Sequence, residues 1–273
     1  MKHIIIPVDF SAFSENALKA GAVLAQKFGA KLHVLHMLEL SDSIISSSSS
    51  SGRDNEMLFL LQLAQKQFGP FLDKDYLKGV EVEAVVKHHK VYAEVDSIAK
   101  DIHADLIIMG SRGKSRETGF FGTGSNTARM VRNSETPVLV VKEGQDFAFA
   151  KAVIATDLSL ESIPAYKKAK TLFDMLDCDH ETVYVNRPDS SFLSDTDFNE
   201  RVEEFAHAGG PEQVKSVNDY SIEAGVLSYA DQHDIDLVAV STHARKGADY
   251  FFNGSIAESI AQHSNLPVLS FKI

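Results

Sequence analysis

The residues best placed for chemistry are Gly110 and Gly113, within Gly110-Ser-Arg-Gly113, and the pair Gly124-Ser125. They lie between an apolar run, Leu106 to Met109, and a segment that reads as a helix beginning at Ser125. A buried strand that turns through glycines into a helix start is a phosphate cradle by geometry. Glycine lets the backbone approach an anion with no Cβ in the way. The N–H groups and dipole of the helix start supply the positive end. The hydroxyls of Ser125 and Thr127 are further donors. Asp9 ends another apolar run, Ile4 to Val8, and its carboxylate could accept from an exocyclic amine or a hydroxyl. Met37 ends a third run and could lie on a flat ring, being soft and adaptable. Singly, each has a plain reading. Asp9 or Ser11 could cap a helix, Gly110 and Gly113 could be turn residues, and Met37 could be core. Together on one sheet edge they suit a mononucleotide.

That convergence requires a parallel sheet, because ligands bind beyond the carboxyl ends of its strands where strand order reverses. The sequence supplies the elements. Ile4–Val8 is a first strand, and Ser14 to Phe28 is an amphipathic helix ended by Gly29. Lys31–Met37, Val80–Val86, Leu106–Met109 and Pro137–Val141 read as four more strands. Ala93–Ile102 and Thr127–Arg132 read as helices. Strands alternating with helices predict an α/β fold with helices on both faces of the sheet.

The second half repeats the first. Ala152–Asp157 matches the first strand and its aspartate, Glu181–Val185 the second strand, and Ile235–Val240 the fourth. Gly254 and Pro267 follow Gly124 and Pro137 at an offset of 130 residues, whereas Asp236 follows Asp105 at 131. The first copy therefore carries one extra residue between Gly113 and Gly124. A repeat this long is a duplicated domain, read as residues 1–144 and 150–273. Ser41 to Asn55, with six consecutive serines, reads as a flexible polar loop that could act as a lid.

Composition narrows the function. The 273 residues are 44% hydrophobic and carry a net charge of -11. Sequence-independent nucleic-acid binding and an anionic membrane surface both call for basic protein, so neither is expected. Cys178 is the only cysteine, and no window approaches the ~18 apolar residues of a membrane span. A cytoplasmic protein is expected.

Pro7-Val-Asp9-Phe-Ser11, the Gly110–Ser125 loop and Pro137-Val-Leu-Val-Val141 together resemble the universal stress protein family. The likeness covers nearly the whole chain, twice. It implies two Rossmann-like five-stranded parallel-sheet domains related as a pseudo-dimer, and adenine nucleotide binding where the glycine motif is kept. Carried over, the resemblance assigns Asp9 and Met37 to the adenine side, Met37 largely through its backbone, and counts Pro7, Val8 and Ser11 among the nucleotide-binding residues. Met109, Gly110, Arg112 and Gly113 would line ribose and phosphates, and Gly124, Ser125, Asn126 and Thr127 would bind phosphate. Ten residues, Lys114 to Thr123, separate Gly113 from Gly124, against nine in the family pattern. The second copy has Ser241-Thr-His-Ala244 in place of the early glycines, leaving at most a partial anion site at Gly254-Ser255.

Three functions are consistent with these readings. The first is a stress-response module whose first domain binds ATP or AMP, with or without magnesium, as a regulatory ligand. The second is a nucleotide-free interaction or scaffold protein. The third is a weak metal-dependent ATPase, for which the sequence offers neither a P-loop, a defensible base nor a zinc-helix histidine pair. Pro137–Val141 and Pro267–Phe271 read as edge strands that pair the two domains within the chain, with a homodimer through another face left open.

Overall fold

The computed structural model describes residues 1–38, 50–88, 91–111, 126–144, 147, 149–242 and 250–273. The first copy runs β1 (His3–Val8), α1 (Ala12–Phe28), β2 (Lys31–Leu38), α2 (Ser50–Leu72), β3 (Val82–His88), α3 (Val91–Asp101), β4 (Leu106–Gly110), α4 (Asn126–Asn133) and β5 (Val138–Val141). The second runs β6 (Lys151–Thr156), α5 (Ile163–Leu176), β7 (Asp179–Asn186), α6 (Asp195–His207), β8 (Lys215–Asn218), α7 (Ile222–Gln232), β9 (Leu237–Thr242), α8 (Tyr250–His263) and β10 (Val268–Lys272). The protein is α/β, as its alternating pattern predicts.

Two elements of the first copy show why. Residues Ile4 to Val8 are all buried, as an apolar run in a sheet covered on both faces must be. α1 buries Ala17, Leu18, Ala22, Leu24 and Ala25, one face at helical spacing. Gly29 ends it at φ 64, the left-handed conformation that glycine adopts without strain.

By its contacts the chain forms two compact units: residues 1–112 with 141–143, and residues 113–140 with 144–273. In the first unit the strand order is β3-β2-β1-β4. β1 lies parallel to β2, with Ile6 opposite Val34, and parallel to β4, with Ile4 opposite Leu106. The chain therefore leaves β1 for a neighbour on one side and later returns to the other, and strand order reverses between β1 and β4. In the second unit the order is β5-β10-β9-β6-β7-β8. Its pairings are parallel except that of β5 with β10, which is antiparallel with Leu139 opposite Leu269.

The registers fix which residues correspond. Ile6–Val34 and Ile154–Thr182 occupy the same place in β1–β2 and β6–β7. Ile4–Leu106 and Ala152–Leu237 do so in β1–β4 and β6–β9. Asp9 thus matches Asp157, His36 matches Tyr184, and Gly110 matches Ser241. The paired aspartates before β4 and β9 prove structural. Asp105 accepts from the N–H groups of Lys2 and His3, and Asp236 from those of Ala150 and Lys151.

Some expectations shift. α2 begins at Ser50, so Ser50 to Asn55 are helical and not loop; residues 41–49 lie outside the described residues. Ala64, Phe68 and Phe71 anchor this helix at four- and three-residue intervals, and the polar serines are carried along at its start. α8 begins at Tyr250, which places Gly254 and Ser255 inside the helix and not at its start. Only the first turn of a helix leaves N–H groups unpaired, and that turn begins at Tyr250.

Candidate functional site

The site begins at the corner after β1. Val8 is buried and Asp9 is exposed. Phe10 adopts φ 62, a left-handed conformation uncommon for a bulky residue. Ser11 then caps α1, its Oγ accepting from the Ser14 N–H at 3.3 Å. Asp9 is not the cap. Its Oδ1 accepts from the Ser11 N–H at 3.0 Å, closing a turn across Phe10. Burial opposes ionisation of Asp9, but bonds from the Ser11 hydroxyl and N–H and the Ser14 hydroxyl outweigh it. The carboxyl is held below the usual carboxylate range, a charged acceptor at the strand end.

Phe10 is fixed by aromatic neighbours. Its ring lies 4.4 Å from His36 and edge-on to Phe68 and Phe71 at 5.1 and 5.3 Å. His36 Nδ1 is 2.9 Å from the Val8 carbonyl oxygen. A carbonyl only accepts, so Nδ1 carries a proton and donates it.

Met37 and Met109 are 8% and 6% exposed, so their side chains belong to the core. Gly110 has a packing reason to be glycine. A Cβ there would stand 1.9 Å from the Phe13 carbonyl oxygen and 3.0 Å from the Ser14 nitrogen, both in the first turn of α1. The structure therefore brings Pro7, Val8, Asp9 and Ser11 together with Gly110 at the β1–β4 reversal. Arg112, Gly113, Gly124 and Ser125 lie outside the described residues. Asn126 and Thr127 open α4, half-buried, in the second unit.

Sequence reasoning passed over Ser111. It is 4% exposed and its Oγ has no partner among the described residues, although its N–H donates to the Val141 carbonyl. A buried hydroxyl without a partner is costly unless something meets it. Only the register could have singled it out. The matching Thr242 is satisfied by the Phe271 carbonyl.

The same corner recurs in the second copy. Asp157 makes the same turn with the Ser159 N–H at 3.0 Å, and Leu158 repeats the left-handed φ at 59. Beyond it, Leu158, Ile163, Tyr184, Leu193 and Phe205 form a buried apolar cluster. The connection from β7 is fastened over this cluster. Asn186 donates to the Leu193 carbonyl and accepts from its N–H, and Tyr184 Oη donates to the Ser191 carbonyl. Among the described residues, no group of His, Cys, Asp or Glu is placed to hold a metal ion, and no helix is long and apolar enough to cross a membrane.

Comparison with known proteins agrees with this architecture. The model of the universal stress protein family matches residues 1–142 and again 148–272. Universal stress protein Slr1230 of Synechocystis sp. is 25% identical over 292 aligned positions, covering 100% of both chains. Universal stress protein MJ0577 of Methanocaldococcus jannaschii is 31% identical over 154 positions, covering 52% of this chain and 94% of its own. A crystal structure of a universal stress protein from Archaeoglobus fulgidus superposes with a TM-score of 0.73, at 18% identity, over 99% of this chain and 98% of that one. Two matches of one family model, each over a repeat defined independently by strand register, make this chain a tandem member of the universal stress protein family.

Proposed function

We propose that the first copy binds one adenine nucleotide, ATP or AMP, as a regulatory ligand and that the second copy binds none. The observation that carries this reading is the contrast between the two β-strand corners. In the first, an exposed carboxylate held ionised ends β1, and just past β4 the buried hydroxyl of Ser111 has no partner among the described residues, on either side of the point where strand order reverses. Those groups fit the amine and hydroxyl donors of a nucleoside. In the second, the matching hydroxyl, that of Thr242, donates to the Phe271 carbonyl.

Within this reading Asp9, Ser11 and the Met37 backbone serve the base. Gly110 and Met109 serve the ribose. Arg112, Gly113, Gly124, Ser125, Asn126 and Thr127 serve the phosphates, where magnesium would arrive with ATP. The site is proposed for recognition, with weak metal-dependent ATP hydrolysis as the lesser alternative. The domains are taken as 1–144 and 150–273, and β5 against β10 as the strand pair that joins the two copies into a pseudo-dimer. Equilibrium dialysis with radiolabelled ATP and magnesium tests the proposal. One mole bound per mole of chain is expected, falling at least tenfold in affinity in Asp9→Ala. No binding of ATP or AMP would support the scaffold reading instead.

A further inference from the structure

We infer that Gly110 is a positioning residue: it seats the N-terminus of α1 against β4, and its replacement by Ser241 in the second copy unseats the matching helix. The consequence for ligand binding rests on the proposed function; the seating itself does not.

The starting point is steric. At Gly110 an added Cβ would meet backbone, the Phe13 carbonyl oxygen at 1.9 Å and carbon at 2.3 Å. Backbone in a helix cannot step aside as a side chain can. A second glycine, Gly21, shares this interface, but there a Cβ would meet the tip of Ile6 at 2.4 Å, which can rotate away. Gly110 is therefore the stricter requirement. With both positions lacking Cβ, α1 lies close on the sheet and its first turn reaches back to the strand corner.

In the second copy both glycines are lost. Ser241 stands for Gly110 and Ala169 for Gly21. The serine that caps α1 is Ser11, and the helix is α from Ala12; in the second copy the turn after Ser159 starts at the matching Leu160 but is tightened to 3-10 over Leu160–Ser162, with α5 following from Ile163. Ser159 makes no capping bond, and its buried Oγ has no partner among the described residues. Beneath α5 lies a crevice of about 10 Å³, the room of roughly one water, lined in part by Ser162, Ala165, Tyr166 and Ala169 against Ser241 and Phe271. A tightened first turn, an unused cap and a gap bordered by the added side chains share one cause. The Cβ atoms at 241 and 169 hold α5 off β9.

The glycine motif thus does two jobs in the first copy. Besides its backbone contact in the proposed site, its leading glycine acts through α1, by holding Asp9, Ser11 and Ser14 in their hydrogen-bonded turn. Hydrogen exchange followed by NMR on the ligand-free full chain tests this. Gly110→Ala is expected to lower protection of the Ser14 and Glu15 amides at least tenfold while the β1 and β2 amides stay protected. Ser241→Gly is expected to raise protection of the Ile163 amide by a similar factor, and it decides the matter if Gly110→Ala does not fold. Unchanged protection at Ser14 and Glu15, or at Ile163, would overturn the inference. So would loss of ATP binding by Gly110→Ala with α1 protection intact, which would leave ligand contact as the one role of Gly110. Shifted protection in a chain that binds no ATP would keep the seating and remove the nucleotide.

Discussion

Asp9 owes its setting to its neighbours. Phe10 takes a left-handed backbone that costs on the order of 1–3 kcal/mol, and the ring cluster of His36, Phe68 and Phe71 holds it there. Phe10→Gly is expected to keep the fold and relax the corner, weakening ATP binding while leaving the melting temperature within a few degrees; an affinity equal to wild type would show the corner does not depend on that cluster. A second titratable group lies at the opposite ends of the strands. Buried His33 contacts Glu83 at 3.2 Å and His3 at 3.1 Å, with Lys31 and Glu81 nearby. Burial lowers its pKa, and the Glu83 carboxylate only partly offsets this. A depressed histidine pKa favours the neutral form in the folded state. Its contribution is present above the unfolded value of about 6.5 and is lost as pH falls below that. The melting temperature should therefore drop between pH 7 and 5 by less in His33→Gln than in wild type, and equal drops would remove His33 from the account. Asp9 was legible from its position after an apolar run. Ser111 was not, because nothing in a lone serine tells whether its hydroxyl will find a partner.

Serine caps show how local chemistry yields to packing at the level of elements. Ser11, Ser194 and Ser221 each accept from the N–H three residues on, as a serine before a helix should. Ser159 sits in the same pattern and does not. Ser11→Ala should cost about 1 kcal/mol, whereas Ser159→Ala should be nearly neutral by denaturant melts, since no bond is lost there. Equal costs would refute the difference between the two helix starts. α1, β1, β2 and β4 could be read directly because their apolar spacing is strong. α2, α6 and β8 could not. β8 is a mostly exposed Lys-Ser-Val-Asn, and α6 opens on Asp195 and Asp197 and buries Phe205 alone. Elements that bury so little leave almost no periodic trace.

The repeat in the sequence and the compact units of the whole molecule do not share a boundary. Residues 126–140, from the first repeat, pack within the second unit. There Arg132 of α4 grips Glu258 of α8 through two bonds of 2.5 and 2.8 Å, and β5 pairs with β10. Charge-assisted paired bonds of this kind, partly shielded from water, contribute roughly 1–2 kcal/mol. A fragment of residues 113–273 is therefore expected to melt at higher temperature than one of residues 150–273, and Glu258→Ala should narrow the gap; identical melts would return the boundary to the repeat. The duplication itself was plain from matched strands and offsets. The unit boundary was not, because a strand's partner is chosen by tertiary packing and not by its own residues. The central claim is that one corner of this duplicated molecule is live and the other is not. Titration calorimetry of the full chain with ATP and magnesium tests it most directly. The account predicts a stoichiometry of one that is lost in Asp9→Ala and kept in Asp157→Ala; a stoichiometry of two, or one that is lost only in Asp157→Ala, would contradict it.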